Sequence, residues 1–107
     1  MRVICRRTLR DYVESLAGQR DQGAVKAALD AWFHEASRAD WGNTADIRTS
    51  FATASIIAAD RVVFNVKGND HRLIVAVDFH RRIVWVKWLG SHRDYDRIDA
   101  RSIEHDG

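Results

Sequence analysis

A histidine and a tyrosine three residues apart, His92 and Tyr95, are the side chains best suited to acid–base chemistry in this sequence. Ser91 is placed to cap a short helix there, with Asp94 at the capping-box position, so His92 and Tyr95 would share one helix face. The backbone N–H groups at such a helix start offer a site for a phosphate. Imidazole transfers protons near neutral pH, although a surface histidine and a tyrosine packed on the sheet fit the same positions.

Cationic side chains are concentrated in one stretch, Arg61–Arg93, which holds seven Lys or Arg against two Asp. The other residues hold ten against thirteen acids, so the net charge of +2 conceals a basic region on a mildly acidic remainder. The planar guanidinium of Arg72 suits a phosphate. Lys67, Lys87 and the interleaved Trp85 would suit the backbone and bases of RNA. A solvated sheet face with scattered charges fits this composition as well.

The same stretch reads as three strands joined by two tight turns. Apolar runs rich in Val, Ile and aromatic residues are separated by the polar breaks Gly68-Asn69-Asp70 and His80-Arg81-Arg82. Such a pattern predicts an antiparallel meander of hairpins. The predicted strands run at about Val62–Lys67, His71–Phe79 and Ile83–Leu89.

Alternation within these strands predicts two different sheet faces, because residues i and i+2 of a strand point the same way. One face is wholly apolar and must be covered; it contains Val62, Phe64, Val66, Leu73, Val75, Val77, Phe79, Val84, Val86 and Trp88. The other, called the second face below, is expected to be open; it contains Asn65, Lys67, Arg72, Asp78, His80, Trp85 and Lys87, with Ile74 and Ala76 between them.

Two amphipathic helices are predicted before the sheet. The first opens at Thr8 and closes at Gly18, and the second begins near Asp21 and ends after Trp41. A short strand at Arg2–Cys5 would join the edge of the sheet or pair across it. The apolar stripes of the helices are the natural cover for the apolar sheet face; they contain Leu9, Tyr12, Val13, Leu16, Val25, Leu29, Trp32, Phe33 and Ala36.

The chain is therefore expected to form one α+β domain over residues 1–107, a small antiparallel sheet with two N-terminal helices on one face. No apolar run approaches the roughly 20 residues of a membrane span, and the start lacks the apolar core of a signal peptide. A single cysteine, Cys5, cannot form an internal disulfide and fits a reducing cytoplasm. Without a Cys/His or carboxylate cluster, neither a metal site nor a cofactor is predicted.

Three segments together resemble the HigB family of bacterial toxins. These are Asn65-Val66-Lys67-Gly68-Asn69, Arg72-Leu73-Ile74-Val75 and Ser91-His92-Arg93-Asp94-Tyr95-Asp96. The order and spacing of all three carry the resemblance, which covers about Arg61 to Ile98. It implies a RelE-like fold and an endoribonuclease that cleaves mRNA without a metal, by attack of the ribose 2′-OH on the adjacent phosphate.

The resemblance and the predicted second face together give roles to individual residues. His92, Arg72 and Tyr95 are expected to be catalytic, and Lys67, Lys87, Asn69 and Trp85 are expected to bind RNA. One position departs from the family: His71 stands where an aromatic residue is common among relatives. From its place beside a predicted turn, His71, like His80, is interpreted as a surface hairpin residue.

The expected partners follow from the same resemblance. They are a helix-turn-helix antitoxin similar to HigA, mRNA and the ribosome, with operator DNA bound only through the antitoxin complex. The alternative function is a non-catalytic module that binds RNA or an antitoxin through the same basic face. Growth arrest with new cleavage sites on cellular transcripts would separate the two.

Overall fold

The computed structural model describes residues 1–68 and 70–103 as four helices and five strands, which confirms the α+β class. In chain order the elements are β1 (Arg2–Ile4), α1 (Arg6–Ser15), α2 (Gln22–Arg38), α3 (Thr44–Ser50), β2 (Ser55–Ile56), β3 (Arg61–Val66), β4 (His71–Asp78), β5 (Ile83–Ser91) and α4 (His92–Tyr95).

The strands form a single sheet in the order β1-β5-β4-β3-β2. Strands β3, β4 and β5 make the predicted meander, and β2 pairs antiparallel with β3. Strand β1 is added at the edge and runs parallel to β5, with Arg2 opposite Ile83. The sheet is therefore mixed rather than wholly antiparallel, because the chain crosses over through the helices before it returns to β5.

The core lies between the helices and one face of the sheet. Apolar residues of α1 and α2, such as Leu9 and Leu29, belong to the same buried cluster as Leu73 and Val75 of β4. The indole of Trp32 meets the ring of Phe64 edge to face, with 5.5 Å between the ring centroids. The predicted apolar stripes of the helices thus cover the predicted apolar sheet face.

The starts of α2 and α4 agree with the sequence, and the start of α1 differs. Helix α2 begins at Gln22, near the predicted start, but it ends at Arg38 and not after Trp41. Helix α1 begins at Arg6 after the N-cap residue Cys5, so Thr8 lies inside the helix, where it is buried, and does not cap it. A third helix, α3, lies around the buried Ile47 and is capped by the Asn43 side chain.

A β-bulge in β5 changes which residues face the core. Val75 lies opposite Val86, but the neighbouring Ile74 lies opposite Trp88, so the register passes over Lys87. One inserted residue reverses the side of every residue that follows it. Trp88 therefore lies on the second face together with Ile74, and its prediction as a core residue was wrong. Leu89, paired with Leu73, packs against the core instead.

The second face is partly covered rather than open. Val63 and Ile74 point away from the helices, yet they are 3% and 0% exposed. The guanidinium of Arg61, on the same strand as Val63, donates hydrogen bonds to the carbonyl oxygens of Ala100 and Ile103 at 3.5 and 2.6 Å. The segment after α4 thus crosses this face near β3, and the exposed part is narrower than alternation predicted.

Among the helices that the structure describes, none combines the length and the apolar character that crossing a membrane requires.

Candidate functional site

The three residues predicted to be catalytic lie together at the end of the second face. Arg72 is the second residue of β4, and His92 and Tyr95 begin and end α4. The guanidinium of Arg72 lies 3.4 Å from Nδ1 of His92 and 5.8 Å from the centroid of the Tyr95 ring. A sheet strand and a following helix thus bring a cation, an imidazole and a phenol into one cluster.

The imidazole of His92 lies between a guanidinium and a carboxylate. Nδ1 faces Arg72, and Nε2 lies 3.6 Å from Oδ1 of Asp96. Because a guanidinium can only donate, Nδ1 is the acceptor and the proton of the neutral ring is on Nε2, toward Asp96. The His92 side chain is 42% exposed, so a bound substrate can reach it.

The short helix α4 is held in place by its first backbone groups. Ser91 Oγ accepts from the Asp94 N–H at 3.1 Å, which confirms the predicted cap. The N–H of His92 donates to the carbonyl oxygen of Asp70 in the β3–β4 turn at 2.9 Å. The N–H groups of His92 and Asp94, which were predicted to be available to a phosphate, therefore already have acceptors. The candidate donors to a bound anion are then the side chains of the cluster.

Two aromatic side chains border the cluster. The Trp88 and Tyr95 rings lie 6.3 Å apart between centroids. The Trp88 indole extends over Gly90, the residue opposite Arg72 in the β4–β5 register. The bulge at Lys87 thus supplies the cluster with a second aromatic surface, which the alternation pattern had assigned to the core.

Trp85 and Lys87 lie farther along the second face. Trp85 is opposite Ala76, four positions along β4 from Arg72, which corresponds to roughly 13 Å of strand. Its side chain is the most exposed large hydrophobic group of the described residues, at 37%, and it lines a depression together with Lys87 and Arg61. These two predicted RNA-binding residues are therefore near each other and apart from His92.

Lys67 lies at a different place from the one that alternation predicted. Strand β3 ends at Val66, and Lys67 has a φ of +51°, so its side chain leaves the second face. Its ammonium lies 3.0 Å from Oδ2 of Asp70, and this hydrogen bond raises the pKa of Lys67. It lines a depression with Asp21 and other residues around the start of α2. Asn69 lies outside the described residues.

The predicted surface residue His71 is instead buried in a polar chain on the helix side of the sheet. It is 5% exposed; Nδ1 lies 2.6 Å from the Tyr12 hydroxyl and Nε2 lies 3.0 Å from Oδ2 of Asp21. The neutral ring therefore accepts from Tyr12 and donates to Asp21. Burial, with the nearby Asp21 and Asp94 carboxylates, raises the pKa of Tyr12 to about 12, and the His71 hydrogen bond lowers the pKa of Asp21.

This polar chain touches the candidate site through the backbone, because Arg72 donates from Nη1 to the carbonyl oxygen of His71 at 3.2 Å. Sequence reasoning missed the pairing of His71 with Tyr12 and Asp21, and it missed Asp96 beside His92. Asp96 had a usable signal, since it lies four residues after His92 and one helical turn brings such side chains together. Tyr12 and Asp21 gave no local signal.

Within residues 1–68 and 70–103, no group of three or more His, Cys, Asp or Glu side chains is arranged to hold a metal ion. The side chains of the cluster can transfer a proton through an imidazole, stabilise negative charge through a guanidinium and stack on bases through aromatic rings.

Comparison with known proteins agrees with this geometry. Residues 25–98 match the family model HigB_toxin, described as the RelE-like toxic component of a toxin–antitoxin system. The match runs from α2 through α4 and so includes Arg72, His92 and Tyr95. None of the curated proteins compared with the chain matches it. Because the matched segment spans well over half of the sequence, the chain belongs to the HigB family of RelE-like toxins and is the toxic component of a toxin–antitoxin system.

Proposed function

We propose that this toxin is an endoribonuclease that cleaves mRNA on the ribosome, without a metal, by attack of the ribose 2′-OH on the adjacent phosphate. The observation that carries the proposal is the cluster of Arg72, His92 and Tyr95 at the end of the second face of a basic sheet. Membership of the toxin family supports it.

The reaction needs a proton acceptor, a proton donor and positive charge at the phosphate. The 2′ oxygen forms a bond to phosphorus and loses its proton, and the bond from phosphorus to the 5′ oxygen breaks as that oxygen gains a proton. The products are a 2′,3′-cyclic phosphate and a free 5′-OH. His92 is the proton-transfer residue, and its exposed imidazole next to Asp96 is placed for that role.

Arg72 stabilises the charge that develops on the phosphate. Its guanidinium is fixed by hydrogen bonds to the His71 carbonyl and to His92, so it is already oriented before RNA arrives. Such preorganised charge contributes more than a mobile cation, because nothing has to be ordered during the reaction. Tyr95 lies beside this guanidinium and orients the phosphate or supplies a proton.

The bases of the RNA are expected to stack on the second face. Trp88 and Tyr95 offer aromatic surface beside the cluster, and Trp85 offers it farther along, where Lys87 contacts the RNA backbone. Stacking of one base on an aromatic side chain contributes about 1–3 kcal/mol to binding. Lys67 contributes positive charge from the end of β3, outside the cluster, and Asn69 contributes hydrogen bonds from its neutral amide.

The partner that silences the toxin is, in this proposal, a HigA-like antitoxin with a helix-turn-helix domain encoded next to it. The toxin reaches operator DNA only as part of the complex with that protein. Two experiments test the proposed partner. The toxin should pull down the product of the neighbouring gene, and the binding of that product to operator DNA should then be measured with and without the toxin.

The ribonuclease proposal is tested by inducing expression and mapping new 5′ ends on cellular transcripts by primer extension. Cleavage within minutes of induction, with a 2′,3′-cyclic phosphate on the upstream fragment of each cleaved transcript, is the expected result. Growth arrest or RNA binding without any new 5′ ends would instead favour a non-catalytic module that binds RNA or an antitoxin.

A further inference from the structure

A groove of about 620 Å³ lies between α1 and α2, and its floor is apolar. Leu9 and Leu29 form the deepest part of the floor and are 5% and 2% exposed. Val13 and Phe33, one from each helix, are partly buried against the core and still contribute to the groove. The groove therefore continues the hydrophobic core outward to the surface of the helical layer.

The rim of this groove is cationic. Arg6 places its guanidinium over the Phe33 ring, 4.3 Å from the centroid, and Arg10 follows one helical turn later. Neither has an acidic partner within ion-pair distance in the part of the chain that the structure describes. On the opposite rim, Nζ of Lys26 forms an ion pair with Oδ2 of Asp30 at 2.6 Å. Arg7, which also lines the groove, pairs with Asp11. Arg6 and Arg10 are outside any such pair among the described residues, and although Glu14 lines the groove one turn after Arg10, the lining holds four cationic side chains against two carboxylates.

We propose that the α1–α2 groove is the docking site for a helix of the antitoxin. That helix carries apolar side chains at i and i+3 or i+4, which cover Val13 and Phe33, and Asp or Glu residues that face Arg6 and Arg10. The partner itself follows from the toxin family, so this inference depends on the family assignment and is independent of the ribonuclease mechanism.

A protein helix fits this groove better than RNA does. Phosphates and riboses would neutralise the arginines and leave the apolar floor in contact with water, whereas burial of that floor stabilises a complex with apolar side chains. Helix α1 has ten residues, a length of about 15 Å, which matches about three turns of a partner helix. A second copy of the toxin on a two-fold axis would bring Arg6 and Arg10 against themselves and be repelled.

The groove also offers a basis for partner choice. The family match begins at Val25, so the α2 wall lies in the matched region and the α1 wall, with both arginines, lies outside it. Charges at the rim of an interface set specificity and association rate more than they set total affinity. Variation along α1 would therefore let related toxins discriminate between antitoxins while keeping the same sheet.

The test uses the full-length toxin and the purified product of the neighbouring gene. The groove variant carries Arg6→Glu with Arg10→Glu, and the matched control carries Arg38→Glu with Arg48→Glu, which makes the same charge change at exposed positions outside the groove and outside the basic stretch. We expect the groove variant to raise Kd about tenfold or more, mainly through slower association and with weaker salt dependence. The control should remain within about twofold of the parent, and both should melt near the parent temperature and cleave RNA like the parent.

Two further measurements identify the molecule that occupies the α1–α2 groove. In the complex of the unmodified proteins, hydrogen exchange should slow at α1 and at the start of α2, and reversing acidic residues of the partner helix to Lys should restore binding to the groove variant. The proposal would be overturned if the groove and control variants bound the product of the neighbouring gene with equal affinity. It would also be overturned if protection from hydrogen exchange appeared only outside the groove, or if the parent toxin did not bind that product. A groove variant that loses RNA affinity or self-association in place of antitoxin affinity would overturn it as well.

Discussion

The indole of Trp88 lies so close over Gly90 that a Cβ atom on Gly90 would be 2.5 Å from Cζ2 of the ring. Glycine is therefore required at position 90 because any side chain there would collide with the Trp88 ring. Its backbone dihedral angles do not require glycine. Since Gly90 is also opposite Arg72 in the sheet, the missing side chain brings an aromatic ring close to the guanidinium that we propose binds phosphate.

Gly90→Ala should displace the Trp88 ring and weaken RNA binding by up to the roughly 1–3 kcal/mol that a stacked base contributes. The Trp88 indole N–H resonance, assigned with Trp88→Phe, should move while the other indole signals stay. Gly23→Ala is the control, since nothing lies within 4 Å of its added methyl group. An unmoved Trp88 resonance with full RNA affinity would contradict the assigned role of the ring.

His92→Gln should reduce the cleavage rate about a hundred- to ten-thousandfold, because glutamine keeps polarity but cannot transfer a proton. Stability should change by at most about 0.5 kcal/mol, since the side chain is partly exposed. Single-turnover cleavage with purified protein measures the effect, and His80→Gln, an exposed histidine in the β4–β5 turn, is the matched control. A rate within a few-fold of the parent would remove His92 from the mechanism.

Arg72→Lys should lose about a hundredfold or more in cleavage rate although it keeps the charge. A lysine cannot hold the His71 carbonyl and face His92 together, because an ammonium is a point charge rather than a planar fork. The comparison is Arg81→Lys, at an exposed turn position, which should behave as the parent does. Full activity of Arg72→Lys would show that bidentate geometry has no part in phosphate binding.

Lys87→Ala should flatten the salt dependence of RNA binding more than Lys67→Ala does. One lost phosphate contact lowers the slope of log K against log salt by about 0.7 for a single strand. Lys87 shares a depression with Trp85 on the second face, whereas the Lys67 ammonium is bonded to Asp70 near the helices. Binding titrations over a series of salt concentrations separate the two, and equal slopes for both variants would count against this placement.

Asp21 should make the folding stability depend on acid pH. Its pKa is below the ordinary 3.8 because His71 donates a hydrogen bond to it. A carboxyl whose folded pKa is lowered stabilises the fold above its unfolded pKa, and this stabilisation is lost as the pH falls through the folded value.

Asp21→Asn removes the carboxylate while it keeps a good N-cap residue. The variant should melt below the parent at pH 7, and the difference should shrink as the pH falls below about 4. Thermal melts across this range provide the measurement, with Asp11→Asn, on the exposed side of α1, as the control. A difference in melting temperature that is the same at pH 7 and pH 3 would show that His71 does not stabilise the charged form.

Local signals in the sequence were sufficient for the strands, the turns between them and the cap at Ser91. Each of these depends on neighbours a few residues away: alternation along a strand, Gly and Asn in a turn, a hydroxyl before Asp94. They also predicted that His92 and Tyr95 share a helix face, whereas the proximity of Arg72 to both is a finding of the structure.

Features that depend on distant parts of the chain could not be predicted in this way. The position of Trp88 depends on a bulge, which is a property of the β4–β5 pair and not of either strand alone. His71 is buried because Tyr12 and Asp21, 59 and 50 residues away, satisfy both of its nitrogens. The cover near β3 depends on the segment after α4, which bonds to Arg61 and has no pattern of its own.

The position of β1 has a consequence for the order in which the toxin is made. Residues 2–4 are synthesised long before residues 83–85 of β5, with which they pair, and α4 follows that strand directly. The edge of the sheet and the candidate site are thus completed at nearly the same moment, after β2, β3 and β4 have been translated. A chain whose synthesis has not passed residue 95 lacks Tyr95, so under the proposed function it would be inactive against the message that is still being translated.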